Sequence, residues 1–189
     1  MKQRTLYKNA KIVSVLILII IISIIFTFWF MSEKSTSYSE PNEALIAIDK
    51  DLLLIPSYKI NGNALFFFMK DKNNLGATYV HEGVLGWKAG TLTWAAVDNN
   101  RSYEKLNGYR THDDSLIYGM IKYEEEQIVK MDENKATFLM LDVMLSPEIV
   151  EQYQLEDLCI WYFETDNVAE EKTIELINPS GEVIDLIRL

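Results

Sequence analysis

The chain has 189 residues and is acidic, with 28 Asp and Glu against 18 Lys and Arg and a formal charge of −10 at pH 7. Four of the basic residues and none of the acidic ones precede position 12, so 14 Lys and Arg face all 28 acids beyond it, a charge of −14. That sign argues against nucleic acid and anionic headgroups as electrostatic partners of the folded part, and against polyanionic wall polymers unless cations bridge.

Residues 1–11 form a basic leader carrying Lys2, Arg4, Lys8 and Lys11. Residues 12–31 follow as an isoleucine-rich run without a charge, whose first nineteen residues, Ile12 to Phe30, would cover about 30 Å as a helix, the thickness of a bilayer's hydrocarbon core. A lone spanning segment must satisfy its own backbone groups and is therefore helical. Lysines before it and a mixed flank of Glu33, Lys34, Glu40 and Glu43 after it predict a cytoplasmic N-terminus and an extracytoplasmic remainder. A cleaved signal peptide is the alternative, but the run exceeds the usual h-region and bulky Phe28, Trp29, Phe30 and Met31 fill its exit. The reading is a single-pass signal-anchor in the cell membrane, with the bilayer as partner of residues 12–31. Lacking a small-xxx-small face, the anchor says nothing of oligomeric state.

Residues 32–40 are small and polar, the composition of a flexible tether. Residues 41–189 are enough for one domain with a sizeable core. Pro41 opens a stretch with Leu45, Ile48 and Leu52 at helical spacing, which predicts a short helix from Pro41 to Asp51. Hairpin punctuation follows. Asn61-Gly62 separates SYKI from NALFFFMK, Asn73-Asn74 separates the latter from GATYVHE, and Gly83, Gly86 and Gly90 precede TLTWAAV. Phe66 and Phe68 share one face and Phe67 takes the other, so that strand is expected to be central and covered on both sides. Residues 98–114 read as a long polar surface loop, a frequent home of function.

Strands resume with SLIYGMIKY, QIVKM and ATFLMLDVM, then Ser146-Pro147 starts a helical turn or two. LCIWYFE is a near-continuous apolar run, hence a buried strand, and its Cys159 an inert thiol; as the lone cysteine it excludes an intramolecular disulfide. TIELI and EVIDLI flank Asn178-Pro179-Ser180-Gly181, a type I turn signature. The fold class predicted is mainly β (α+β): one antiparallel β domain of nine or ten strands with one or two short helices, behind a transmembrane helix.

KINGNALFFFMKDKNNLGATYVHEGVLGWKAGTLTW, followed by LIYGMIKY, CIWYFE and ELINPSGEVI, resembles small membrane-anchored extracytoplasmic proteins of low-GC Gram-positive bacteria, which have no assigned activity. The resemblance covers most of the exported part. It implies the topology and brings no chemistry with it.

Asp71 to Glu82 has Asp, Asn, Gly and Glu at positions 1, 3, 6 and 12 of a calcium loop, but Leu75 stands where an oxygen ligand belongs and strands flank it. A hairpin turn explains the same residues. His81 and His112 with a carboxylate have the ligand types for zinc, without a spacing that joins them. No catalytic metal or cofactor motif is present. Asp113 and Asp114, or the run Glu124 to Glu126, could supply paired carboxylates for glycoside cleavage; the run reads as a solvated turn. Among the aromatics, Trp94 and Trp161 are expected in the core, and Trp87, Tyr103 and Tyr109 are candidates for a binding platform. The candidate binding set is thus Trp87, Tyr103, Tyr109, His112, Asp113 and Asp114.

Three functions fit. The first is a non-enzymatic recognition or accessory module that engages an envelope protein or wall ligand. The second is a carboxylate-dependent envelope hydrolase, and the third a membrane regulator acting through its transmembrane helix.

Overall fold

The computed structural model describes residues 2–97, 103–106, 108–113, 115–165 and 172–189, with side chains from residue 14 onward. It is mainly β, with α1 (Lys2–Ser35) ahead of three antiparallel sheets. The part of α1 from Ser14 to Ser35 is long and apolar enough to cross a membrane, and its apolar window has no residue buried inside the rest of the chain.

The first sheet contains β1 (Leu53–Ile60), β2 (Asn63–Lys70), β3 (Asn74–Gly83) and β4 (Gly86–Ala89), with β5 (Thr93–Ala96) on the same side of β3 as β4 but at its other end. The second has the order β10 (Thr137–Met140), β11 (Leu158–Glu164), β7 (Leu116–Lys122), β6 (Arg110–His112). The third runs β13 (Val183–Arg188), β12 (Thr173–Ile177), β8 (Ile128–Met131), β9 (Asn134–Lys135). Short helices α2 (Pro41–Ile46), α3 (Leu141–Met144) and α4 (Pro147–Tyr153) complete the described elements.

The second sheet is the middle layer. Alternate side chains of β7 and β11 enter two separate cores. Leu116, Tyr118, Met120, Leu158, Ile160 and Tyr162 meet Leu65, Phe67 and Met69 of the first sheet. Ile117, Ile121, Cys159, Trp161 and Phe163 meet Val129, Met131, Ile174 and Leu176 of the third. LCIWYFE is continuously apolar because a strand covered on both faces has no wet side. A third core lies on the far face of the first sheet, where Ala44 and Leu45 of α2 cover Ala64, Phe66, Val80 and Trp87. Phe67 and Phe66 therefore point into different cores, and β2 is central, as the alternation predicts. The Phe67 ring packs 5.3 Å from both Tyr118 and Tyr162.

Five expectations are corrected. Thirteen strands are present among the described residues against the nine or ten predicted, the additions being pieces such as β4, β6 and β9 too short to show a period. The helix predicted to reach Asp51 ends at Ile46, where Asp49 accepts a hydrogen bond from the Asp51 amide (3.0 Å) and offers the backbone a turn instead. ATFLMLDVM is a strand only to Met140 and then turns into α3. The tether is not loose: α1 continues to Ser35, and Tyr38 forms a β-bridge with Trp87. The expected 98–114 loop contains β6, which pairs with β7; its residues 98–102, 107 and 114 lie outside the described ones.

Candidate functional site

The predicted aromatic platform does not form. Trp87 is 5% exposed inside the third core, with the Lys59 ammonium 4.9 Å from its ring. Tyr103 is half-buried against the first core and Tyr109 against the second. The three rings thus belong to three different clusters. Trp94, expected inside, is 47% exposed instead: it lies opposite Gly76 on the outer face of the first sheet, edge-on to Phe68, with Lys70 over its ring.

His112 and Asp113 are brought to a site, and Asp114 lies outside the described residues. Asp113, with His81 and with Tyr58, Tyr79 and Glu164 that the sequence does not flag, borders an open groove of about 500 Å³ between one end of the first sheet and the middle layer, while His112 lies buried against Tyr79 outside its lining. Its sheet floor is two cross-strand rows on one face. Tyr58, Leu65 and Tyr79 form one row; Ile60, Asn63, His81 and Lys88 form the next. Tyr58 reaches this face because β1 carries a bulge between Pro56 and Tyr58. Without the extra residue Tyr58 would oppose Ala64 and point to the other side. The bulged Ser57 donates its hydroxyl to the Tyr162 oxygen at 2.7 Å.

The opposite wall is the end of β11 and the β6–β7 turn. Both tyrosine hydroxyls donate to the same Glu164 oxygen, Oε1, Tyr58 at 2.6 Å and Tyr79 at 2.9 Å. Burial first, and the neighbouring carboxylate second, push both phenols above their ordinary range, so both remain donors. Oε2 of Glu164 has no protein partner among the described residues. The Asn63 amide oxygen lies 2.7 Å from His81 Nδ1 and accepts its proton, so that in the neutral ring Nε2 is the acceptor.

The two histidines flank Tyr79, His81 stacked at 6.2 Å and His112 tilted at 5.8 Å, so the phenol ring stands between them. His112 is fully buried, with Nδ1 2.6 Å from Thr93 Oγ1 and Nε2 3.5 Å from the exposed Asp113 carboxylate. Burial lowers its pKa and Asp113 opposes that only in part, so it is a neutral ring that positions Tyr79 and the turn. Among the described residues no group of three or more His, Cys, Asp or Glu could hold a metal.

The groove offers acceptors: Glu164 Oε2, the Asp113 carboxylate and His81 Nε2. Among the described residues no Lys or Arg lines it; Lys172 is engaged with the hydroxyl of Thr165, a lining residue, at 2.8 Å. It suits a ligand rich in hydrogen-bond donors and disfavours an anion. Its position is equally defined. Lys88, in the same row as His81, places its ammonium 2.6 Å from Glu33 Oε2 in the last turns of α1. The groove opens beside the end of that helix.

Sequence reasoning missed Tyr58, Tyr79 and Glu164. The one local sign was a charge closing the apolar run LCIWYFE; that three distant strands deliver their polar ends to one point is a property of the sheet packing. No protein-family model, curated protein or solved structure matches this chain.

Proposed function

We propose that the chain is a single-pass membrane protein with a cytoplasmic N-terminus, and that its β domain is a recognition module at the outer surface of the membrane. Its groove, lined by Tyr58, Tyr79, His81, Asp113 and Glu164, receives hydroxyl or ammonium groups of an envelope protein or wall ligand. The observation that carries this reading is the succession His81, Lys88, Glu33, which joins the groove to the end of the apolar helix without a flexible link. The charge-free run and the basic leader support the orientation. The test is a photo-crosslinking amino acid at Ser115 of the full-length protein in intact cells. Discrete adducts that vanish with Glu164→Gln and with Tyr79→Phe are expected. Adducts indifferent to both substitutions, or none, would remove the reading.

A second reading rests on one observation, that Asp113 and Glu164 border the same groove. Two such carboxylates could serve glycoside hydrolysis. Against it, Oε1 of Glu164 is already taken by two phenol donors, Tyr58 and Tyr79, which ties that carboxylate into the wall of the groove. Incubation of the full-length protein with isolated wall material decides it. Release of reducing ends that Asp113→Asn abolishes would establish the hydrolase, and no release from the unaltered protein would eliminate it.

A further inference from the structure

We propose that the β3–β4 turn, Gly83-Val84-Leu85-Gly86, together with Ile60 at the end of β1 beside the β1–β2 turn, seats the domain in the headgroup layer of the bilayer. The inference rests on the reading of α1 as a membrane anchor. It adds to that reading a second contact with the lipid, which holds the groove at a set height and tilt.

Three observations carry it. The first is position. Glu33 Oε1 lies 3.5 Å from where a Cβ on Gly83 would stand, and Oε2 bonds Lys88 at 2.6 Å, so the β3–β4 hairpin flanks the helix at the level of Glu33. That level is two residues past Met31, about 3 Å of helix rise beyond the last apolar residue. The two turns lie side by side, since the Glu82 amide donates to the Gly62 carbonyl at 2.7 Å.

The second is exposure. Val84, in a turn where polar residues are the rule, is 80% exposed, and Ile60, the last residue of β1, is 59% exposed. In water each costs solvation and gains no packing; at an interface each contributes apolar burial.

The third is charge. The domain as a whole is strongly acidic and would be repelled by anionic lipid, but the ionised groups on the segments meeting here cancel. Glu33 pairs with Lys88 and Glu40 with Lys59 at 2.7 Å, while Lys34 offsets Glu82. Contact at this end is therefore an insertion of side chains, with little electrostatic penalty.

The experiment uses the full-length protein in phosphatidylethanolamine–phosphatidylglycerol vesicles, spin-labelled at single cysteines replacing Val84, Ile60, Ile20 or Val183; native Cys159 is buried and escapes the label. Relaxation by an aqueous nickel chelate and by oxygen is compared at each site. The labels at Val84 and Ile60 should lose most of the nickel effect seen at Val183, an exposed residue of the third sheet, and gain oxygen effect. Equal nickel access at Val84, Ile60 and Val183, with Ile20 shielded, would overturn the seat and leave the anchor standing. Nickel access at Ile20 itself would overturn both.

Discussion

Tyr38 and Trp87 exchange both of their backbone hydrogen bonds, Tyr38 N to Trp87 O at 3.0 Å and Trp87 N to Tyr38 O at 2.8 Å. This narrow pair is a single antiparallel bridge that ties the segment just after α1 to the edge of the first sheet beside β4. The geometry depends on Gly86. Its φ is +134°, and a Cβ there would fall on the Tyr38 carbonyl oxygen.

Gly86→Ala should therefore open the bridge. The strain of the left-handed backbone and the collision together should lower stability by about 1–3 kcal/mol. Limited proteolysis should show new cleavage within residues 36–40, and the urea midpoint should fall. An unchanged cleavage pattern would mean that the ion pairs Glu33–Lys88 and Glu40–Lys59, and not the bridge, hold the helix to the sheet.

A second glycine is set by the middle layer. Gly119 pairs with Trp161, and a Cβ on it would stand 2.7 Å from Cζ2 of the indole, which fills the space over the glycine. Gly119→Ala should overpack the second core and cost about 1–3 kcal/mol. Combined with Trp161→Phe, the cost should be smaller than the sum of the two single variants, because the smaller ring makes room for the methyl group. Additive losses in chemical denaturation would show that the contact is not direct.

How far the sequence carried the fold can be argued from five aromatic positions. Phe66, Phe67 and Trp161 were legible because they lie in strands covered on both faces, where composition alone reports burial. Trp87 and Trp94 exchange their expected environments. Alternation tells which residues share a face but not whether anything covers it. Trp87 is covered by α2 and Tyr38, which come from far away in the chain, whereas α2 packs on β3 and β4 and leaves Trp94 on β5 outside. The site was less legible still. His112 and Asp113 were found from their chemistry, but Tyr58 enters the groove only through a one-residue bulge, and a bulge has no period to detect.

Arg110 closes the edge of the first two sheets. Its Nη2 donates to the carbonyls of Ala96 at 2.6 Å and Ala95 at 3.3 Å, and its Nη1 to Gly108 at 2.9 Å, so one guanidinium on β6 satisfies outward carbonyls of β5. No carboxylate pairs with it among the described residues, and burial lowers its pKa. Arg110→Lys keeps the charge but cannot bridge several carbonyls in one plane. It should cost about 1–3 kcal/mol and speed amide exchange in β5 and β6 while leaving β1 and β2 unchanged. Faster exchange spread evenly over the domain would contradict a local clasp.

The pH dependence of stability follows from groups on both sides of neutrality. Burial raises the Cys159 thiol from 9.0 to about 12 and the Tyr118 phenol from 10.0 to about 12, and it raises Tyr58 and Tyr79 as well. Above pH 9 the unfolded chain releases these protons while the native state holds them, so stability is complete below that value and is lost as pH climbs towards 12. His112 acts in the opposite direction. Burial depresses its pKa below 6.5, the unfolded chain takes up its proton first, and stability is lost as pH falls through that region. The stability profile should thus be a plateau between about 6.5 and 9 that declines on both sides. Cys159→Ala should flatten the first part of the alkaline decline. Asp113→Asn should steepen the acid one, because it removes the carboxylate that partly supports the protonated ring at 3.5 Å. Urea midpoints from pH 5 to 11 measure all three curves, and an acid limb unaltered in Asp113→Asn would show that His112 does not titrate against its neighbour.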